Sequence, residues 1–157
     1  MENSLKLDFT RRLNACNKSG LIVIMYDIFF AYTKEAKEAH ENADREAYRS
    51  AIRNAQNVID ALKNALNFQY EISKNLHQLY VYCKNLLAKA MYQNKIDGIE
   101  EAENLLKRLY TSFCEVAKTD TSGPLMTNTQ QVYAGYTYGR TSLNESLMND
   151  DHRGFFV

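Results

Sequence analysis

The sequence contains little proline and glycine, the residues that interrupt helices most strongly. Its 157 residues include one proline and six glycines, and Pro124 and four of the glycines lie beyond residue 118. Proline breaks a helix interior and glycine weakens it. Long helices can therefore form before residue 119, and no alternation of apolar and polar residues predicts a strand there.

Cysteine is also scarce. Cys16, Cys83 and Cys114 are odd in number and widely spaced, which excludes a disulfide framework or a paired zinc knuckle. Cys83 and Cys114 fall on apolar helix faces, where a free cysteine behaves as a small apolar residue. We expect free thiols and a reducing compartment.

Net charge and long apolar runs are absent too. Nineteen basic and nineteen acidic residues give a net charge of zero, which supplies no general attraction to nucleic acid or to an anionic membrane. The longest apolar run, residues 21–30, is broken by Asp27, and the first residues lack the pattern of a signal peptide. We expect a cytoplasmic protein that binds no nucleic acid and does not insert into a membrane.

The sequence lacks the common catalytic motifs. A di-iron site in a helical bundle needs a glutamate three residues before a histidine. The residues three before the histidines at 40, 77 and 152 are Lys37, Lys74 and Asn149, and none is a glutamate. No phosphate-binding loop, zinc-binding helix or nucleophile elbow is recognisable. We expect no metal, no cofactor and no catalytic site.

Four long stretches repeat apolar side chains at helical spacing. They begin near Ser19, Asp44, Glu71 and Asp97, and short polar links separate them. Residues 1–118 are therefore predicted to form an all-α domain, an antiparallel four-helix bundle in which residues 4–16 add a short N-terminal helix. One core is expected to contain Leu62, Leu76, Leu79, Leu106 and Phe113.

Two of these helices carry more apolar surface than one core contact requires. The inner stripe of the first long helix is predicted to contain Leu21, Ile22, Met25, Phe29, Tyr32 and Ala36. Val23, Tyr26 and Phe30 are apolar or aromatic but lie outside that stripe. In the third long helix, Val81 and Tyr82 likewise lie outside the stripe of that helix. Such surface must be covered, either by residues 1–18 folding back or by a partner.

Several short motifs occur in a distinctive order. Residues 55–62 read AQNVIDAL, residues 66–68 read LNF, residues 71–82 read EISKNLHQLYVY, and residues 25–27 read MYD. Between about residues 19 and 118 this order resembles the flagellar secretion chaperones of the FliS family. The resemblance implies a chaperone that holds the C-terminal segment of flagellin, prevents its polymerisation in the cytoplasm and brings it to the flagellar export gate.

The resemblance, together with the surplus apolar surface, also implies a partner-binding surface. The predicted residues are Val23, Tyr26, Phe30, Asn57, Asn67, Phe68, Asn75, Leu76, Tyr80, Tyr82 and Tyr92. Family members begin with a tyrosine-bearing segment that covers part of the groove, whereas residues 1–18 contain Phe9 and no tyrosine. The chain is expected to be a monomer or a homodimer.

Histidine phosphotransfer domains offer an alternative, since they are also four-helix bundles with a solvent-facing histidine. His77, Gln78 and Leu79 fit the start of their motif. Those domains continue with lysine and glycine, whereas Tyr80 and Val81 follow here. A hydrogen-bonded histidine at the edge of the core is the simpler interpretation.

The composition changes after residue 118. Residues 119–157 are predicted to be a flexible C-terminal tail, and residues 132–138 concentrate aromatic side chains within it. This segment is a candidate for docking onto the bundle, where it would shield a groove from flagellin. The predicted docking residues are Val132, Tyr133, Tyr136 and Tyr138.

Overall fold

A computed structural model describes residues 3–126. Five helices follow one another in this part of the chain: α1 (Asn3–Ala15), α2 (Lys18–Glu41), α3 (Arg45–Asn64), α4 (Glu71–Gln93) and α5 (Asp97–Thr119). These residues contain no strand, and the all-α prediction is confirmed. The predicted docking residues Val132, Tyr133, Tyr136 and Tyr138 lie outside the described residues.

The four long helices form the predicted bundle. Helix α2 packs against α3 and α5, and α4 packs against the same two helices. Each long helix therefore has two neighbours around a common core, and the short links make consecutive helices antiparallel. Helix α1 is the short N-terminal helix, and it packs on α2.

Local chemistry fixes the helix ends. The side-chain oxygens of Asn17 and Asp44 accept hydrogen bonds from the N–H groups of Gly20 (2.9 Å) and Ala47 (3.0 Å), which caps α2 and α3. Helix α4 ends at Gln93, and the capping residue that follows, Asn94, has a φ of 55°, in the left-handed region that asparagine tolerates.

The centre of the bundle is built from large apolar side chains and paired tyrosine hydroxyls. Leu62 and Leu106 are fully buried there, as predicted, whereas Leu76, Leu79 and Phe113 are partly buried at its edge. The fully buried side chains with the largest volumes are Tyr26, Tyr48, Tyr80, Phe29, Ile52, Ile59, Leu62, Leu87, Ile99 and Leu106.

Helix α1 covers a face of α2 that points away from this core. Phe9 of α1 and Ile24 of α2 are both buried, yet neither belongs to the central cluster. The Arg12 guanidinium forms an ion pair with one carboxylate oxygen of Asp27, and the Tyr110 hydroxyl donates to the other oxygen at 2.7 Å. Asp27 therefore joins α1 and α5 to α2.

A short segment after α5, which we term the clasp (residues 120–125), lies against the junction of α1 and α2. The Asn17 side-chain amide donates to the carbonyls of Asp120 (3.2 Å) and Ser122 (3.3 Å). The N–H of Leu125 donates to the carbonyl of Cys16 at 3.0 Å. The compact unit that contains the helices includes this segment as far as Leu125.

Candidate functional site

An apolar groove of about 400 Å³ runs along the outside of the bundle where three helices meet. We call it the α1–α2–α3 groove. Leu13 belongs to α1, the next four lining residues to α2 and the last four to α3. The lining residues are Leu13, Leu21, Met25, Ile28, Tyr32, Asn54, Asn57, Val58 and Ala61.

The spacing of the lining residues explains the groove. On α2, Leu21, Met25, Ile28 and Tyr32 recur at intervals of four, three and four residues, so they form one continuous stripe along the helix. Ala61 on α3 has a small side chain that leaves space beside the stripe. No charged residue lines the groove, and such a surface suits the apolar face of an added helix.

Two polar side chains interrupt this apolar surface. Asn54 and Asn57 are three residues apart on α3, so they lie on the same side of that helix. Asn54 is half-buried and Asn57 is exposed. Neither side-chain amide makes a hydrogen bond within residues 3–126, which leaves both free to bind a ligand or water.

Two predicted binding residues, Tyr26 and Tyr80, are not on a surface. Their exposed fractions are 0% and 1%, and their hydroxyls are hydrogen-bonded to each other at 2.7 Å. Burial raises the pKa of both phenols above the usual value for tyrosine. In the free chain both rings therefore fill the core, and neither is presented on the surface predicted for it.

The burial of Tyr26, which was predicted to lie outside the inner stripe, reflects the orientation of α2. The side chains that face the core from this helix include Tyr26, Phe29, Thr33 and Ala36. Of the residues predicted for the inner stripe, Phe29 and Ala36 are fully buried. Leu21, Met25 and Tyr32 are partly buried and line the groove, and Met25 and Tyr32 also pack against the core. Because α2 is apolar almost all round in its first half, the pattern alone did not fix which side faces inward.

Among the remaining predicted residues, Asn57 alone lines the groove. Val23 and Phe30 are partly buried, and the Phe30 ring packs edge-on against Tyr110 of α5, with 5.6 Å between ring centroids. Phe30 therefore packs towards α5, and Val23 does not line the groove. Leu76 is partly buried against the core.

The α3–α4 link holds two further predicted residues, Asn67 and Phe68, and Asn75 lies in the first turns of α4; all three are exposed. The Asn67 carbonyl accepts a hydrogen bond from the Ser73 hydroxyl at 2.7 Å, which shapes the turn into α4. Phe68 is 54% exposed, and Tyr70 and Ile72 beside it are also exposed. The link thus presents a second apolar surface, separate from the groove lining.

Tyr82 and Tyr92 lie on the outer side of α4. The Tyr82 hydroxyl donates to Glu101 of α5 at 2.7 Å, and this hydrogen bond raises the pKa of the phenol. Tyr92 is 85% exposed. The predicted residues therefore occupy several faces of the bundle and do not form one contiguous surface.

Sequence reasoning missed most of the groove. Ile28, Asn54 and Val58 received no functional role, although the surplus apolar surface of α2 was a signal that something covers this helix. The missing information was the position of α1 relative to α3, since Leu13 and Val58 are 45 residues apart in the sequence.

The geometry around His77 does not favour phosphotransfer. His77 is half-buried, and its ring packs edge-on against Phe68 with 5.7 Å between centroids. A histidine that receives a phosphoryl group must be open to a kinase.

Residues 3–126 also contain no cluster of three or more histidine, cysteine or acidic residues that could hold a metal ion. In the same residues, no helix is long and apolar enough to cross a membrane.

Comparison with known proteins assigns this sequence to a family. The sequence profile of the family described as "Flagellar protein FliS" matches residues 1–120. A relative from Bacillus subtilis (strain 168), the "Flagellar secretion chaperone FliS", is 28% identical over 91 residues, which cover 58% of this chain and 68% of that protein. The profile match extends from α1 through α5, and the chain therefore belongs to the FliS family of flagellar secretion chaperones.

Proposed function

We propose that this chain binds the C-terminal segment of flagellin in the cytoplasm, keeps it from polymerising and brings it to the flagellar export apparatus. The observation that carries the proposal is the α1–α2–α3 groove in a member of this chaperone family. The groove is apolar and has no charged lining residue, as the binding site of an amphipathic helix should be.

Coupled folding suits such a role. A segment that is disordered alone and becomes helical when bound can bury roughly 1,000–3,000 Å² while ordering costs about 2–5 kcal/mol. Binding can therefore be firm yet reversible, as delivery to an export apparatus requires. Neither a cofactor nor a catalytic step is involved.

The groove accommodates only part of such a segment. Exposed apolar side chains at the α3–α4 link, including Phe68, Tyr70 and Ile72, offer further contact surface. A partner that wraps around the bundle would reach both surfaces, and each would contribute apolar burial. In this proposal the groove is the main site and the link is an additional one.

A charged residue in the groove tests the proposal. Ile28→Lys places an unpaired ammonium beneath the bound helix, and we expect the affinity for a flagellin C-terminal peptide to fall at least tenfold, or about 1.4 kcal/mol. The affinity is measured by isothermal titration calorimetry, and thermal melting followed by circular dichroism reports folding.

The matched control is Val116→Lys, which introduces the same charge at an exposed apolar residue of α5. Because Val116 does not line the groove, this variant should bind the peptide like the wild type. Equal affinities for all three proteins would remove the groove from the site. A wild type that does not bind flagellin would refute the proposed function.

A further inference from the structure

The groove has a polar feature that an apolar partner helix does not satisfy. Seven of its nine lining residues are apolar or aromatic, and the other two are Asn54 and Asn57. Both belong to α3, one helical turn apart. Their side-chain amides make no hydrogen bond within the described part of the chain, so in the free protein they are available to water.

A helix bound in the groove would displace that water. An amide that loses its water without gaining a hydrogen bond raises the free energy of the complex, and this penalty exceeds the gain from an ordinary hydrogen bond. Asn54 is the more critical of the two, because it is already half-buried before any partner binds. The partner must therefore supply hydrogen-bonding groups at the side of the groove formed by α3.

We infer that Asn54 and Asn57 select the partner helix and set its register in the groove. This inference rests on the proposed function, and it specifies the chemistry of the flagellin segment. The bound helix places apolar side chains on the α2 stripe and presents amide or hydroxyl side chains, one turn apart, towards Asn54 and Asn57. A carboxylate or ammonium at those positions is disfavoured, since no charged residue lines the groove to pair with it.

The register follows from helix geometry. Sliding the bound helix by one residue rotates its side chains by about 100°, which moves the polar positions away from α3 and turns apolar ones towards the asparagines. Apolar contacts with Leu21, Met25 and Ile28 are non-directional and tolerate such a shift. The two asparagines do not tolerate it, because leaving a buried amide unpaired in the shifted register costs more binding free energy than losing the contact of one methylene group.

The test replaces Asn54 with leucine, which has a similar size and no hydrogen-bonding group. In the full-length chain, Asn54→Leu should weaken binding of the flagellin C-terminal peptide about tenfold, the effect of a polar group left unpaired at an interface. Asn57→Leu is a second variant with the same expected direction. Asn104→Leu on α5 is the matched control, as Asn104 is exposed and lies outside the groove.

A double-mutant cycle identifies the partner position. Each serine, threonine, asparagine and glutamine of the peptide is replaced by alanine, and every peptide is titrated into the wild type and into Asn54→Leu. One position should weaken binding to the wild type and have little further effect on Asn54→Leu, because its hydrogen bond is already lost.

The outcomes separate the inference from the proposed function. If the wild type binds the peptide but Asn54→Leu and Asn57→Leu bind equally well or more tightly, the inference is wrong and flagellin binding stands. A double-mutant cycle in which no peptide position couples to Asn54 also overturns the inference about the two asparagines. If instead these variants alter sedimentation of the free chain and leave peptide affinity unchanged, the groove is an interface between two copies, and the inference fails.

Discussion

Tyr26 and Tyr80 place two hydroxyl groups at the centre of the bundle, where each is the other's hydrogen-bond partner at 2.7 Å. Tyr26 belongs to α2 and Tyr80 to α4, and these two helices are not neighbours around the bundle. The pair therefore connects helices across the core. It also satisfies two polar groups that would otherwise be buried without a partner.

Removing one of the two hydroxyls should cost more than removing both. Tyr26→Phe leaves the Tyr80 hydroxyl unpaired, and we expect a loss of about 1–3 kcal/mol in the free energy of unfolding. The double variant Tyr26→Phe with Tyr80→Phe leaves no unpaired group, so it should be no less stable than either single variant. Urea denaturation of the three proteins and the wild type measures the difference, and additive losses would show that the two hydroxyls act independently.

Single residues also show where sequence reasoning stops. Leu62 and Leu106 were assigned to the core from helical spacing alone, and they are fully buried. Tyr26 was assigned to the surface by the same method and is fully buried as well. The difference is that α3 and α5 each have one clear apolar face, whereas the first half of α2 has apolar side chains on every side, so its inward face depends on contacts with other helices.

At the scale of elements, α1 is the least firmly held helix of the described chain. It packs against α2 alone, and one polar attachment to the bundle is the ion pair of Arg12 with Asp27. Asn17 holds the following junction, because its oxygen caps α2 and its amide binds two carbonyls of the clasp. The position of α1, and with it one wall of the groove, therefore depends on few polar contacts.

This dependence predicts a local effect of Asn17→Ala. The change removes the cap and the bonds to Asp120 and Ser122, and it should lower the free energy of unfolding by about 1–2 kcal/mol. Hydrogen exchange measured by mass spectrometry should accelerate in α1 and in residues 120–125 more than in α4. Asn14→Ala, at an exposed position of α1, is the control, and equal acceleration in α1 and α4 would contradict a local role.

The number and extent of the long helices were predictable because each signal is local. Apolar spacing, capping residues and the scarcity of glycine and proline all act within a few turns. The α1–α2–α3 groove was not predictable in this way. It requires Leu13, Met25 and Val58 to meet, and nothing in the spacing of any one helix specifies where α1 lies relative to α3.

In the bundle as a whole, the residues that stabilise the fold and those proposed to bind a partner are largely different. The core between α2, α3, α4 and α5 holds the fully buried side chains, whereas the groove is lined by side chains at the edge of that core and the α3–α4 link presents exposed ones. Groove residues can therefore be changed with less effect on folding than core residues.

The central claim is that flagellin binds in the α1–α2–α3 groove. The most direct test is nuclear magnetic resonance of the full-length chain with labelled methyl groups, titrated with the flagellin C-terminal peptide. We expect the methyl signals of Leu21, Met25, Ile28 and Val58 to shift first and most, while that of Val116 on α5 stays in place. Large shifts at Val116 without shifts at the four groove residues would contradict the claim.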